Sequence, residues 1–227
     1  MYILIFYKIE SSNRHLLKTS IFDTFKLTNQ LTGKAKRQRK IIKIIGGNKI
    51  PEQRTKVEIS RIIGTENKQS WKNSYSGVYD DIEKVLLPQK IIEEEGRIPL
   101  KRGPRLLQNE GTGYYKLTKI GTLLLFCIED SKVEIDFTEF THNQDLGKEL
   151  NLLCRISPTL CFLLLEKYTS TMCMKREEII PITLEKINKI TEDVLYCNLK
   201  FIKSILSCNK ENQEKMLQIL SHIDSKH

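Results

Sequence analysis

The stretch GTGYYKLTKIGTLLLF, Gly111 to Phe126, changes character at its middle. Tyr114, Tyr115, Lys116, Leu117 and Thr118 alternate with the two-residue period of a strand. Beyond Gly121 the residues turn apolar as far as Phe126, as a buried helix would. The expected join is abrupt: the strand stops at Thr118, whose hydroxyl accepts an orphan amide proton of the next helix. Tyr115 and Leu117 are expected to face the core, which leaves Tyr114 toward solvent. A strand of this kind returns from an earlier partner, and the reading works upstream from there.

KIIEEEG supplies that partner as a short strand, Lys90 to Glu94, opening at Gly96. Between the strands, GRIPLKRGPRLLQNEGTG holds four glycines and two prolines and is expected to be an irregular loop. Three helices are expected ahead of it. In GKAKRQRKIIKIIGGN a basic turn precedes Ile41, Ile42, Ile44 and Ile45, and Gly46-Gly47-Asn48 ends the segment. TKVEISRIIGTE repeats Val57, Ile59, Ile62 and Ile63 at helical spacing, with Gly64 as C-cap. In NKQSWKNSYSGVYDDIEKVLLPQ, Ser74 is the expected N-cap and Val78, Ile82, Val85 and Leu86 share one face. Pro88 stops that helix, because the residue before a proline avoids helical geometry.

The order helix, helix, helix, strand, long basic loop, strand, helix resembles a winged helix-turn-helix domain, most like the small transcriptional regulators of archaea and bacteria. VEISRIIG and SYSGVYDDIEKVLL carry the resemblance as the two helices of the motif. KIIEEEG and YYKLT correspond to the wing strands, and Lys119-Ile120-Gly121 to the entry of the following helix. The likeness covers residues 34–128. It implies a mainly α fold in which three helices and a β-hairpin wing bind double-stranded DNA, and the residue pattern of 129–227 adds the expectation of a helical module after it. Residues 1–33, which open with the apolar MYILIFY, read as an N-terminal arm or extension.

Charge supports the same partner independently. The chain of 227 residues carries a formal charge of +9, distributed unevenly. Residues 1–128 hold 24 basic and 12 acidic side chains, whereas residues 129–227 hold 13 and 16. A basic half suits a polyanion. Helix-turn-helix proteins present the N-terminal end of the second helix to base edges while neighbouring groups grip phosphates. Lys68, Gln69, Ser70, Lys72, Asn73, Ser74 and Ser76 cluster at that end and are the expected DNA-contacting residues. Arg97, Lys101, Arg102 and Arg105 of the loop are expected along the backbone or in a minor groove. Lys34, Lys36, Arg37, Arg39 and Lys40 form a second basic cluster for flanking phosphates. Asp80, Asp81 and Glu83 are expected to turn toward solvent. The sole tryptophan, Trp71, reads as a partly buried anchor at the turn, or else as a side chain stacking on sugar or backbone.

The second half reads as helices packed together. LGKELNLLCRI and TLCFLLLEKY flank Pro158, and a long helix is expected from Ile182 to Leu206. Ile180, Ile187, Val194 and Phe201 recur every seven residues, but the alternate row Leu184, Thr191, Asn198 and Ile205 is half polar. Packing within the chain and a homodimer through these C-terminal helices both remain open. Glu177-Glu178 is expected to be an exposed helix start, and Met216, Leu220 and Ile223 a final amphipathic turn set. The six cysteines form no C-x-x-C pair and no zinc spacing with histidine, so they read as thiols of a reducing cytoplasm. No stretch approaches the length of a membrane span. No nucleotide-cradling loop, H-E-x-x-H or G-x-S-x-G motif is found, so neither an enzyme nor a cofactor is expected. Two other readings of the winged helix stand beside transcriptional regulation: a protein-docking module, and a replication or plasmid-maintenance factor.

Overall fold

The computed structural model describes residues 19–68, 70–99, 111–128, 134–190, 206 and 209–214. It is mainly helical, with one two-stranded antiparallel hairpin among the described residues. The chain divides into two compact units, Met1–Leu125 and Phe126–His227.

In the first unit, residues 19–32 fold onto the helix that follows. Ile21 is fully buried, and the Gln38 carboxamide oxygen accepts from the Ser20 amide at 2.8 Å. Helix α1, Gly33–Gly47, starts at Thr32, whose hydroxyl accepts from the Ala35 amide. The basic residues 34–40 therefore lie inside the helix rather than in a turn ahead of it. Ile41, Ile42, Ile44 and Ile45 are all buried, as their spacing predicts.

A short 3-10 turn, Pro51–Arg54, leads to α2, Lys56–Glu66, which is capped by Thr55. Gly64 is not the C-cap. It is buried inside the helix, and Asn67 takes the cap position because the apolar face continues to Ile63 and needs a further turn to close. Helix α3, Trp71–Asp81, packs against α2 and begins one turn earlier than Ser74 suggests. Ser70 holds the N-cap position instead. The helix widens into a π turn over Ile82–Leu86, and Val78, Ile82, Val85 and Leu86 are all fully buried.

Strand β1, Ile92–Ile98, pairs antiparallel with β2, Thr112–Leu117. Gly96 does not end β1 as its sequence context predicts. The register shifts between Glu94 and Gly96, and the strand continues to Ile98. A side chain at Gly96 would collide with the Tyr114 hydroxyl, its β-carbon lying 2.8 Å away, so the glycine makes room for the partner ring beside the bulge. Tyr115 is buried as expected, but Tyr114 is half-buried rather than turned to solvent, because Arg54 lies over its ring, and Leu117 is only half-buried.

Helix α4, Lys119–Ile128, begins without a connecting loop. The Thr118 hydroxyl accepts from the Gly121 amide at 3.2 Å, the cap that the sequence predicts, and its nearest acceptor is the Lys90 carbonyl oxygen, with the Ile91 oxygen 3.1 Å away. Gly121 completes the join: a β-carbon there would lie 2.1 Å from the same Ile91 oxygen. Only glycine allows that approach.

The second unit opens with an aromatic cluster, Phe126 edge-on to Phe137 at 5.7 Å and Phe137 beside Phe140. Helix α5, Gln144–Ile156, and helix α6, Pro158–Lys175, meet at Ser157, whose hydroxyl caps α6. Cys154 and Cys161 are joined by a disulfide across this elbow, with Cα atoms 5.1 Å apart. That corrects the expectation of thiols for these two residues: their seven-residue separation straddles a helix–proline–helix turn that brings both side chains to one side. Cys127 and Cys173 are buried, and Cys197 and Cys208 lie outside the described residues.

Helix α6 ends at Arg176, in left-handed geometry, and an extended connection with a cis Ile180–Pro181 bond leads to α7, Leu184–Ile190. The Tyr168 hydroxyl donates to the Ile179 carbonyl at 2.7 Å and anchors that connection. Ile180 thus precedes the helix instead of starting its seven-residue row, because Pro181 interrupts helical bonding. Glu177 and Glu178 are exposed, but in the connection rather than at a helix start. Thr191, Val194, Asn198, Phe201 and Ile205 lie outside the described residues, as do Met216, Leu220, Ile223 and residues 1–18. Among the described residues no helix is long and apolar enough to cross a membrane.

Candidate nucleic-acid interface

The N-terminal end of α3 is the polar tip that the sequence singles out. Ser70, Lys72, Asn73 and Ser76 are exposed there, and Lys68 sits just ahead in left-handed geometry, also exposed. Among the described residues the Ser70 hydroxyl accepts no cap bond, and the Asn73 amide donates instead to the Ser70 carbonyl oxygen at 3.0 Å. Ser74 does not belong to this set. It is buried, because it falls on the same helical row as Val78 and Ile82. Gln69 lies outside the described residues.

The basic cluster of α1 separates into two kinds of residue. Lys36 is exposed and Lys34 half-exposed. The Arg37 guanidinium, in contrast, pairs with Asp81 at 2.6 Å and lies against Gly77 of α3. Arg39 donates to the Ile21 carbonyl at 2.8 Å and covers the Phe22 ring. Lys40 pairs with Glu66 at 2.7 Å. Three of the five positive groups are thus engaged within the unit.

The acidic residues of α3 need a matching correction. Asp80 is exposed and pairs with Lys84, but Asp81 is only 1% exposed. Its carboxylate accepts from Arg37 and from the Gln38 carboxamide at 2.9 Å. Asp81 follows Val78 by three residues and Ser74 by seven, which returns it to the buried row. Glu83 is half-buried and ion-paired with Lys56.

In the hairpin, Arg97 belongs to β1 and pairs with Glu94 at 2.7 Å. Lys101, Arg102 and Arg105 lie outside the described residues. The hairpin is held to the body by Arg54, which sequence reasoning passed over. Arg54 pairs with Glu95 at 2.6 Å, donates to the Tyr115 carbonyl at 3.1 Å and lies over the Tyr114 ring.

A second feature also escaped the sequence reading. Trp71, Tyr75 and Tyr79 stand four residues apart along α3, with ring centroids 5.9 Å and 6.3 Å apart. Trp71 is 36% and Tyr79 42% exposed, so Trp71 is partly buried, as an anchor at the turn would be, with the rest of its ring open. Arg61 of α2 lies over the Trp71 ring and Lys56 over the Tyr79 ring, the latter at 4.8 Å. Burial pulls the Lys56 ammonium down, but hydrogen bonds to Glu83 and Tyr115 outweigh it, so its pKa stands above the ordinary 10.5. Burial likewise pushes the Tyr115 phenol above 10.0, against the opposing hydrogen bond from Lys56. The four-residue spacing was the signal in the sequence, and only the exposure of the rings gives it meaning.

Chemically, this surface offers side-chain hydrogen-bond donors and partly open aromatic faces. No three of the described His, Cys, Asp and Glu residues are grouped to hold a metal ion. In comparisons with known proteins, no family profile, no curated protein and no solved structure matches this chain.

Proposed function

We propose that residues 34–128 are a winged helix-turn-helix unit that binds double-stranded DNA, and that the protein is a transcriptional regulator. The observation that carries this reading is the α2–α3 pair. The two helices pack together, α3 turns Lys72, Asn73 and Ser76 outward at its N-terminal end, and a hairpin follows at once. Exposed donors at that helix end suit base edges and phosphates. Lys34, Lys36 and Lys68 add exposed or half-exposed positive charge in the same unit.

Lys101, Arg102 and Arg105 belong to the proposed contact set as the basic wing. The test is duplex binding over a range of salt. The affinity is expected to fall linearly with log salt, and K101E with R102E to weaken binding sharply and flatten that slope. Salt-independent binding, or an unchanged double variant, refutes the reading.

The engagement of Arg37, Arg39 and Lys40 favours a second reading, a winged helix that docks protein. Retention on duplex DNA resin no stronger than that of a charge-matched control selects it. For residues 129–227 we propose a helical module through which copies pair, since Leu152, Ile156 and Leu163 expose apolar surface on α5 and α6. Paired copies would span two half-sites about one DNA turn apart. A mass measurement in solution that returns only monomer refutes the pairing.

A further inference from the structure

The Trp71–Tyr75–Tyr79 row is packed within the fold only in part, Trp71 under Arg61 and Tyr79 under Lys56, and leaves ring surface open. The buried row of α3 is Ser74, Val78 and Asp81, continued by Ile82 in the π turn, and the rings stand on the flank beside it. Large aromatic groups left open on a helix are surfaces waiting for cover. Their immediate surroundings narrow what that cover is. Arg61 and Lys56 cross two of the rings but are paired with Glu58 and Glu83, so the positive charge offered beside the row is that of Lys72, which stands with Asn73 and Ser76 on the neighbouring outward face of the same helix. A matching partner therefore alternates apolar groups with negative charge and hydrogen-bonding edges within a few ångströms. The major groove of a duplex does this wherever thymines occur, because the thymine methyl projects into the groove between the base edges and the phosphate wall.

We propose that this aromatic row reads thymine methyl groups, so that the DNA preferred by this protein carries thymines opposite α3. The inference rests on the duplex-binding reading above and adds a source of sequence preference to it. The polar tip supplies contacts to phosphates and base edges, while the rings bury methyls that hydrogen bonding cannot detect. Burying one methyl against a ring is worth about a fourfold change in affinity.

The experiment compares the full chain on an alternating adenine–thymine duplex and on the same duplex with uracil in place of thymine, which removes only the methyls. The thymine duplex is expected to bind about fourfold more tightly or better. The W71A Y75A double variant is expected to bind both duplexes alike, at the uracil level, with its salt slope unchanged. W71F and Y75F, which keep the rings, are expected to retain the preference, and this separates lost contacts from a lost fold. Equal wild-type affinity for the two duplexes, with salt-dependent binding intact, overturns the inference and leaves the duplex reading standing. A preference that survives in W71A Y75A also overturns it, because the effect then belongs to duplex stiffness. Absence of salt-dependent binding to either duplex overturns the underlying reading itself.

Discussion

The carboxylate of Asp81 stands 2.6 Å from the guanidinium of Arg37, joining the last turn of α3 to the first half of α1. Arg37, expected among the phosphate contacts, and Asp81, expected to face solvent, neutralise each other. Gln38 extends the link from Asp81 to the Ser20 amide, so three segments far apart in sequence share one polar network.

Breaking this network leaves buried polar groups without partners. D81A is expected to destabilise the first unit by about 3 kcal/mol, measured as a lowered urea midpoint. D81N, which keeps the bond with Gln38, should cost less. R37Q should leave the salt slope of DNA binding unchanged, because the Arg37 charge is satisfied by Asp81. A shallower slope in R37Q would place Arg37 back among the phosphate contacts.

The Thr118–Gly121 join makes a graded prediction. T118A removes one cap and is expected to cost about 1 kcal/mol. G121A forces a β-carbon onto the Ile91 carbonyl and should cost more, about 2–3 kcal/mol, because main chain must move. Thermal unfolding of the two variants checks the order, and a G121A protein as stable as wild type would contradict the close approach.

Alkaline pH should weaken the first unit. Lys56 and Tyr115 both hold their protons more tightly in the folded state than their ordinary values of 10.5 and 10.0 allow. The folded state thus binds more protons than the unfolded state once pH exceeds the unfolded values. The contribution is fully present below about pH 10 and is lost as pH rises through the higher folded values. Denaturant midpoints falling above pH 10 in wild type, and falling less steeply in Y115F, are expected. A flat profile across that range would count against the buried Lys56–Tyr115 contact.

Reduction should loosen the α5–α6 elbow. The Cys154–Cys161 bridge closes a short loop, which on chain entropy is worth about 2.5 kcal/mol. C154S with C161S is expected to lower the melting temperature of the isolated chain, and a thiol reductant to lower wild type to the same value without further effect on the variant. Reaction of all six cysteines with a thiol reagent under non-reducing denaturing conditions would show that the bridge is not formed.

Local patterns made much of this molecule legible. The isoleucines of α1, the Val78–Leu86 face, the YYKL alternation and the Thr118 cap each depend on neighbours within a few residues, and short-range stereochemistry suffices to place them. Element ends were harder. Ser70 rather than Ser74 starts α3, and β1 runs through Gly96, because the choice is made by α2 and by the Tyr114 ring, which lie elsewhere in the chain.

What the sequence determined by itself was the order of helices and strands and the sign of the charge, since periodicity and composition are properties of the chain alone. Tertiary structure decided which charges remain available and which rings stay uncovered. Arg37, Arg39 and Lys40 look alike with Lys34 and Lys36 as letters. Only the packing of α1 against α2, against α3 and against residues 19–22 engages three of them and leaves Lys36 to solvent, because an ion pair depends on distance in space and not on spacing along the chain.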